Sequence, residues 1–326
     1  MVTKKILITG AFGFIGSHLT EYLIESGYEI IAFDRYNINN HYGWLHNSKY
    51  KNEINFILGD IRDYDSVYKA MKGCSAVFHL AALIGIPYSY ISPLAYLKTN
   101  VEGTYNVLES SKNHNLDQVL ITSTSETYGS AQYLPIDEKH PLVGQSPYSA
   151  SKIAADHLSI SYYRSFNLPI KIVRPFNTYG PRQSPRAIIP TIILQILNNN
   201  KKIKIGNITT ERDLTFVNDT CNGFLEIYKS NKFFGEIVNI GMNNKISIEK
   251  LLYIIQNLMN IKIPYEVDSL RIRPEKSEVD VLCCNNNKII NYSNWLPKYD
   301  LEKGLLKTIQ WLEKNYSFYQ SNSYNV

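Results

Sequence analysis

The stretch Gly10-Ala-Phe-Gly13-Phe-Ile-Gly16 lies between a short apolar run, Ile6–Thr9, and a helical pattern of apolar residues. Glycines at this spacing, after a predicted strand and at the start of a predicted helix, indicate a turn that binds a dinucleotide. The first glycine permits the tight turn, the second lets a pyrophosphate approach the backbone, and the third lets helix and strand pack closely. The free N–H groups of the helix N-terminus favour phosphate. The residues expected to contact the cofactor here are Gly10, Gly13, Phe14, Ile15 and Gly16.

Short apolar runs alternate with helical patterns on both sides of this turn. The runs predicted as buried parallel strands are Ile6–Thr9, Glu29–Phe33, Ile54–Leu58, Ala76–Leu80, Val119–Thr122 and Ile170–Arg174. The helices predicted between them are Phe14–Ser26, Asp63–Lys72, Leu94–Asn113 and Tyr148–Phe166. Strand–helix alternation implies right-handed crossovers, so we predict an α/β fold with a Rossmann-type, doubly wound parallel sheet.

The pattern loosens after Pro175, where we predict a smaller α/β lobe for the substrate. Its expected elements are a helix at Ile188–Leu197, a strand pair formed by Ile203–Ile205 and Leu214–Phe216, and helices at Ile248–Met259 and Leu301–Glu313. Glu236–Ile240 is expected to return to the main sheet. We therefore assign residues 1–176, joined by 213–243, to the cofactor domain and residues 177–212 and 244–326 to the lobe. The polar tail beyond Tyr316 is predicted to fray.

Composition excludes several classes of protein. The 326 residues carry a diluted net charge of +5, and the basic group Lys201, Lys202 and Lys204 indicates a solvated loop, so no nucleic-acid partner is expected. The four cysteines form no Cys-x-x-Cys pair and lack a histidine at ligand spacing, which favours free thiols and no metal. The sequence contains no signal-peptide pattern and no apolar stretch of about 20 residues, so we expect a cytoplasmic protein without membrane contact.

The ends of the later strands supply further cofactor contacts. Asp34 ends the second strand, where a carboxylate accepts hydrogen bonds from ribose hydroxyls and repels a 2′-phosphate, which favours NAD over NADP. Arg35 beside it leaves NADP open, since an arginine there can pair with that phosphate. The other contacts predicted are Asp60 and Ile61 near the adenine, Leu80, Ala81 and Ala82 along the path to the nicotinamide, and Thr99.

Tyr148 and Lys152 open a predicted helix and share one of its faces at i and i+4. Free tyrosine has a pKa near 10 and is a poor base at neutral pH. We expect the lysine cation, together with the nicotinium charge, to lower that pKa so that the phenolate can take a proton from a hydroxyl group. Behind a glycine turn, this pair predicts a dehydrogenase-type reaction centre.

The glycine turn with Tyr148 and Lys152 resembles the extended short-chain dehydrogenase/reductase family. The triplet Thr124-Ser125-Glu126, followed by Thr-Tyr-Gly, resembles the sugar-nucleotide 4,6-dehydratases, whereas simple 4-epimerases usually lack an acid at the Glu126 position. The resemblance continues through Ser146–Lys152, Arg174–Gln183, Arg212-Asp213 and Arg273-Pro274, and so covers nearly the whole chain. It implies a nucleotide-diphosphate sugar as substrate, NAD as cofactor and a homodimer or homotetramer built on helices with Tyr105, Tyr162 and Tyr163.

Within this group the segments Gln145–Ile153 and Pro181–Pro190 most resemble the dehydratases of legionaminic acid synthesis, which implies GDP-N-acetylglucosamine as substrate. The resemblance gives Tyr148, Lys152 and Thr124 the oxidation at C4 and gives Glu126 the C5 proton. Some dehydratases carry an aspartate at position 125, as the acid for the leaving hydroxyl. Because Ser125 is not a strong acid, we expect Glu126 both to remove the C5 proton and to protonate the leaving hydroxyl, with Ser125 as a relay.

Arginines are expected to bind the pyrophosphate, since their planar fork suits phosphate oxygens. The residues predicted to bind substrate are Asn177, Arg182, Arg186, Arg212 and Arg273, with Arg271 as a weaker candidate. Three alternatives stay open: a UDP-glucuronate decarboxylase, a nucleotide-sugar 4-epimerase and an NAD(H)-sensing binding protein. Ile153 speaks against the decarboxylase, in which an arginine is expected after the lysine, and the retained Tyr148 and Lys152 speak against the sensor.

Overall fold

A seven-stranded parallel sheet forms the centre of the protein, which a computed structural model describes over residues 4–319. The strands are β1 (Lys5–Thr9), β2 (Glu29–Arg35), β3 (Ile54–Gly59), β4 (Ala76–His79), β5 (Gln118–Thr122), β6 (Ile170–Pro175), β7 (Asn177–Tyr179), β8 (Ile203–Ile205), β9 (Glu211–Phe216), β10 (Ile237–Ile240), β11 (Lys245–Ser247) and β12 (Tyr265–Val267). The helices are α1 (Phe14–Glu25), α2 (Tyr64–Ala70), α3 (Ile86–Ile91), α4 (Pro93–Tyr96), α5 (Gly103–Asn113), α6 (Pro147–Phe166), α7 (Ile188–Leu197), α8 (Val217–Lys229), α9 (Ile248–Leu258), α10 (Asn287–Tyr292) and α11 (Leu301–Lys314).

The strand order of the main sheet is β10-β6-β5-β4-β1-β2-β3, and every neighbouring pair runs parallel. Apolar side chains cover both faces, as expected for a sheet with helices on either side. The prediction of a Rossmann-type, doubly wound α/β fold is confirmed. The order reverses between β1 and β4, and a ligand crevice is expected beyond the carboxyl ends of strands at such a point.

Two small sheets lie outside the main one and correct the predicted strand pair. The sequence was expected to pair Ile203–Ile205 with Leu214–Phe216, but β8 pairs with β12 and β9 lies between β7 and β11. The mistake has a physical cause, because a three-residue strand carries no information about which distant strand will complete its hydrogen bonds. Strand β9 matters for the site, because a bridge between Glu211 and Val281 places Arg212 beside the segment that contains Arg273.

The helix predicted at Leu94–Asn113 is interrupted. Helix α4 ends at Tyr96, a π-helical turn spans Leu97–Glu102, and α5 starts at Gly103. A π-turn is uncommon inside a helix and often marks a functional site. Sequence periodicity missed this turn, and it also gave no prediction for α3, α8 and α10.

The structure tests several smaller predictions. The four cysteines are free thiols. Tyr316–Tyr319 forms a 3-10 helix with a buried Tyr319, so the tail is not frayed there, and the rest of the predicted tail lies outside the described residues. Over residues 4–319, no helix combines the length and the apolar composition that crossing a membrane requires.

Candidate active site

The glycine turn joins β1 to α1 at the point where the strand order reverses. Gly10 has φ +71°, and a Cβ there would lie 2.7 Å from the backbone nitrogen of Ala81, so only glycine fits. A Cβ on Gly16 would lie 2.0 Å from the Gly10 carbonyl oxygen, which explains the close approach of helix and strand. Gly13 is exposed, and a Cβ there would meet only that same oxygen, at an ordinary 3.5 Å. The open side of Gly13 therefore suits the approach of a pyrophosphate to the N-terminus of α1.

Asp34 at the end of β2 lies against this turn. One carboxylate oxygen accepts a hydrogen bond from the Phe12 N–H at 2.8 Å, and the other accepts from the Arg35 N–H at 2.7 Å. Burial raises the pKa of the Asp34 carboxyl, and the two backbone hydrogen bonds oppose that rise. The carboxylate thus stands where the ribose of a dinucleotide is expected. At the end of β3, Asp60 pairs with Arg62, while the buried Ile61 packs against Gly103.

Buried polar side chains form a row of hydrogen bonds at the end of β4. The His79 ring lies between Thr9, at 2.7 Å, and Thr104, at 3.1 Å. Burial is the main cause that lowers the pKa of His79, to about 3, so the ring is neutral at physiological pH and serves the packing. Leu80, Ala81 and Ala82 follow, half-buried, beside the glycine turn. Their position agrees with a path toward the nicotinamide.

Asn100 is a site residue that the sequence analysis missed. Its side chain accepts from the Leu83 N–H at 2.8 Å and donates to the Leu83 carbonyl at 3.0 Å and to the Ser151 hydroxyl at 2.9 Å. It therefore ties the π-turn to the loop after β4 and to α6, one residue before Lys152. Thr99, the predicted cofactor contact, precedes it and is half-buried.

Tyr148 stands in the first turn of α6. Ser146 caps this helix in a capping box with Ser149, and Pro147 occupies its first position, so local sequence fixes where the helix starts. The Tyr148 ring is 7% exposed and packs edge-on against Tyr96. Burial is the largest influence and raises the pKa of the phenol, whereas a hydrogen bond with Thr124 lowers it. The lowering expected from Lys152 together with the nicotinium charge stays a prediction; among the protein's own groups, desolvation is the largest influence on this pKa.

Lys152 lies one turn further along α6 and is also buried. Its ammonium donates to the Thr122 carbonyl at the end of β5, at 2.6 Å. Below it, Asp156 pairs with Arg174 at 2.6 Å and accepts from Ser123 at 2.5 Å. Burial lowers the pKa of Lys152, and the charge of Asp156 opposes this effect. The sequence analysis missed the Asp156–Arg174 pair, which holds α6 against the strand ends.

Thr124, Ser125 and Glu126 follow β5 directly. Thr124 caps a 3-10 turn, Ser125–Tyr128, and its hydroxyl accepts from the Glu126 N–H at 3.3 Å. Ser125 is 3% exposed, whereas Glu126 is half-buried. The negative charge of Glu126 contributes to the raised pKa of the Tyr148 phenol. The structure therefore brings together the Tyr148 phenol, the Thr124 hydroxyl and the Glu126 carboxylate.

Two of the predicted phosphate ligands lie beside Glu126. Arg273 Nη1 is 3.7 Å from Glu126 Oε2 and 3.8 Å from Glu278 Oε1. Arg212 Nη2 is 3.3 Å from the same oxygen of Glu278. Burial lowers the pKa of Arg212, and the neighbouring carboxylates oppose that shift. Glu278 was not predicted, since a single acid in a polar segment has no local signature.

The other predicted substrate ligands are scattered. Arg182 forms an ion pair with Glu21 of α1 at 2.9 Å, and its role in substrate binding stays a prediction. Arg186 is exposed near Gly85 and Tyr96, on the Tyr148 side of the site. Arg271 pairs with Asp268. The Oδ1 atom of Asn177 is buried without a hydrogen-bond partner in the described part of the chain, at the start of β7. Across residues 4–319, no three His, Cys, Asp or Glu side chains are grouped as metal ligands.

Known proteins share this chain's sequence and fold over nearly its full length. A family model for GDP-mannose 4,6 dehydratase matches residues 7–308. UDP-glucuronate 4-epimerase of Thermodesulfobacterium geofontis is 32% identical over 97% of this chain and 98% of its own. Human dTDP-D-glucose 4,6-dehydratase is 30% identical, over 96% and 91%. The dTDP-glucose 4,6-dehydratase of Streptomyces venezuelae, solved with NAD bound, has a TM-score of 0.88 at 26% identity and covers 97% of this chain and 99% of that one.

The fold and the site define an extended short-chain dehydrogenase/reductase that acts on nucleotide sugars. The chain belongs to the GDP-mannose 4,6-dehydratase family, whose wider group contains both dehydratases and epimerases. NAD is the cofactor of this group, and several of the related structures hold it. The open Gly13 and the Asp34 carboxylate fit that cofactor.

Proposed function

We propose that the protein is an NAD-dependent nucleotide-sugar 4,6-dehydratase, which removes water without net redox change and gives a 4-keto-6-deoxy sugar. The observation that carries the proposal is the Glu126 carboxylate, which lies in the turn capped by Thr124, the residue that is hydrogen-bonded to the Tyr148 phenol. A 4-epimerase oxidises and reduces C4 and needs no further base. A dehydratase must also remove the C5 proton, and Glu126 is the group available for that step.

The first step is oxidation at C4. Tyr148 takes the O4 proton, and Thr124, which is hydrogen-bonded to Tyr148, holds that oxygen in line. Lys152 stabilises the phenolate from one turn along α6, where its ammonium is anchored on the Thr122 carbonyl. NAD, when bound, supplies the hydride acceptor for this step and returns the hydride at the end of the cycle. Because the phenol is buried, its ionisation depends on these positive charges.

The second step is loss of water across C5 and C6. A ketone at C4 acidifies the C5 proton, Glu126 removes it, and the C6 hydroxyl leaves as water. Glu126 passes the C5 proton to that hydroxyl, with the neighbouring Ser125 available as a relay. When the hydride is returned to C6, Glu126 delivers to C5 a proton taken up from solvent, and Tyr148 releases the O4 proton to solvent. Arg212 and Arg273 hold the diphosphate, so the sugar is presented to Tyr148 and Glu126 from the side of β9.

We also propose GDP-N-acetylglucosamine as the substrate, in legionaminic acid synthesis. The support for it is the sequence of Gln145–Ile153 and Pro181–Pro190, which most resembles dehydratases of that pathway. The experiment is incubation with GDP-N-acetylglucosamine, UDP-N-acetylglucosamine, GDP-mannose and UDP-glucuronate in heavy water, with products examined by mass spectrometry. A product lighter by one water that carries deuterium at C5 supports the proposal.

The alternative is a nucleotide-sugar 4-epimerase, which the relative from Thermodesulfobacterium geofontis represents. An epimerised product of unchanged mass, without solvent deuterium at C5, would establish that activity and refute the dehydratase. Loss of carbon dioxide from UDP-glucuronate would instead identify a decarboxylase.

Replacing Glu126 by Gln gives the sharpest single test. Gln keeps the size of the side chain but cannot accept the C5 proton, so dehydration should fall by about 10²–10⁴-fold. Oxidation at C4 depends on Tyr148 and Lys152 and should survive. The variant should therefore accumulate enzyme-bound NADH when substrate is added, which near-ultraviolet absorbance measures. Glu275→Gln, the same change at an exposed position, serves as the control. Full C5 exchange in Glu126→Gln would remove this residue from the mechanism.

A further inference from the structure

Glu278 joins the two phosphate-binding arginines to each other. One of its carboxylate oxygens lies 3.3 Å from Arg212 and 3.8 Å from Arg273, and the same Arg273 nitrogen lies 3.7 Å from Glu126. The four side chains therefore form a row in which carboxylate and guanidinium alternate: Glu126, Arg273, Glu278 and Arg212. None of the four is fully exposed, since their side chains are between 9% and 26% accessible.

The backbone around Glu278 is fixed on several sides. The Val279 N–H donates to the carboxylate at 3.2 Å, and the preceding Ser277 hydroxyl is hydrogen-bonded to the Tyr90 hydroxyl of α3 at 2.6 Å. On the other side, Glu211 of β9 donates its N–H to the Asp280 carbonyl at 2.8 Å. Because both flanks are anchored, the carboxylate is held against the arginines and is not a freely moving surface charge.

The row contains two carboxylates and two guanidinium groups, so its formal charges cancel before substrate binds. If Glu278 were neutral, Arg273 would have Glu126 as its one carboxylate partner in the described ion pairs and would be drawn toward it. A direct bond would occupy the carboxylate that must take the C5 proton. The distance of 3.7 Å between Arg273 and Glu126 is too long for such a bond.

We propose that Glu278 is a positioning residue for the dehydration, which holds Arg212 and Arg273 for the diphosphate and keeps the Arg273 charge off Glu126. The proposal rests on the proposed function, because it assigns Glu278 a role in the step that Glu126 performs. Within residues 4–319, the charged and titratable groups near Glu126 include Tyr148 of α6, Arg212 of β9 and Arg273 of the segment before α10.

The test is the rate of C5 hydrogen exchange at saturating substrate in Glu278→Gln, which keeps the shape of the side chain and removes its charge. The exchange rate should fall by about tenfold, because Arg273 then competes for the base. Oxidation at C4, measured as NADH formed in a single turnover, should change less, because Tyr148 and Lys152 are untouched. Glu278→Asp, which keeps the charge, should restore the exchange rate. Glu275→Gln should leave it unchanged.

The outcomes distinguish a failure of the role proposed for Glu278 from a failure of the proposed function. A Glu278→Gln exchange rate equal to that of the wild type, or a Glu278→Asp rate that falls as far as that of the Gln variant, would overturn the role of Glu278 while leaving the dehydratase intact. A wild type without C5 exchange would overturn the proposed function, and the role of Glu278 with it. Far-ultraviolet circular dichroism and NAD binding show whether the variants remain folded.

Discussion

Burial makes the Tyr148 phenol a weak acid until positive charge is placed beside it. The ring is 7% exposed, and the hydrogen bond with Thr124 only partly compensates for lost solvation. The chemistry therefore requires Lys152, whose ammonium is anchored one turn away, and the charge of the oxidised nicotinamide. At the scale of single residues, reactivity here comes from a few charges acting in a dry environment.

Tyr148→Phe removes the phenolic oxygen and keeps the packing against Tyr96. C4 oxidation should fall at least about 100-fold, measured as NADH formed in a single turnover. Lys152→Met should also be severely impaired, and its residual rate should rise toward high pH as the tyrosine deprotonates unaided. Tyr162→Phe, on the same helix, loses a hydroxyl bonded to Glu109 and should retain activity. Near-normal oxidation by Tyr148→Phe would exclude the pair from the reaction.

The sequence could predict the residues that stand in local motifs and not those that only the fold brings together. Gly10, Asp34, Tyr148 and Glu126 all follow a strand or open a helix, and they converge because parallel strands end at one edge. Asn100, Asp156, Arg174 and Glu278 carry no such signal. Asn100 bonds to Leu83, 17 residues away, Asp156 to Arg174, 18 residues away, and Glu278 to Arg212, 66 residues away. These pairings are not encoded by any local pattern.

At the scale of elements, two glycines of the same turn are required for different reasons, one for packing and one for the ligand. Gly16 is required by the protein itself, because a side chain there would overlap the Gly10 carbonyl. Gly13 meets no such crowding within the chain, so its absence of a side chain serves the ligand.

Gly13→Ala and Gly16→Ala should therefore have different effects. Gly16→Ala should lower the free energy of unfolding by about 1–3 kcal/mol, as overpacking does. Gly13→Ala should leave stability close to that of the wild type and weaken NAD binding by about tenfold or more. Thermal unfolding and titration calorimetry measure the two quantities. Equal destabilisation by both substitutions, with NAD affinity following stability, would contradict this division.

Long elements of this chain were predictable and short ones were not. Helix α6 has a capping box, a first-turn proline and twenty residues of pattern, and it begins one residue before its predicted start at Tyr148. The π-turn at Leu97–Glu102 changes the helical register where Asn100 reaches the loop after β4, and periodicity alone cannot show this. The positions of strands β8 and β9 were predicted, but they were wrongly paired with each other. The partner of a short strand depends on how the whole lobe folds.

At the scale of the whole molecule, an apolar surface runs along α4, the π-turn and α5. Leu94, Leu97 and Tyr105, one in each of these elements, are 61%, 49% and 44% exposed. Of the tyrosines expected at a dimer interface, Tyr162 is instead buried within the chain, where its hydroxyl binds Glu109. The exposed group supports the proposal that two copies pair through α5 and α6.

Leu97→Glu should shift the protein from dimer toward monomer, because a charge would replace apolar area at the proposed interface. Analytical ultracentrifugation across a concentration series measures the shift as a dissociation constant raised by about tenfold or more. Leu270→Glu, at an 82% exposed apolar position near β12, should leave the assembly unchanged. A monomeric wild type, or equal behaviour of the two variants, would refute the proposed interface.

Strand β6 has a consequence for the order in which the chain acquires its structure during synthesis. Its outer edge is completed by β10, and its buried Lys171 donates to the carbonyls of Ile227, Tyr228 and Ser230. A ribosome that has released only the first 176 residues thus leaves a sheet with an open edge, and the Lys171 amine keeps Gln118 as an acceptor but lacks these three carbonyls. We therefore expect the main sheet to be complete, and to bind its cofactor stably, only after residue 240 has emerged.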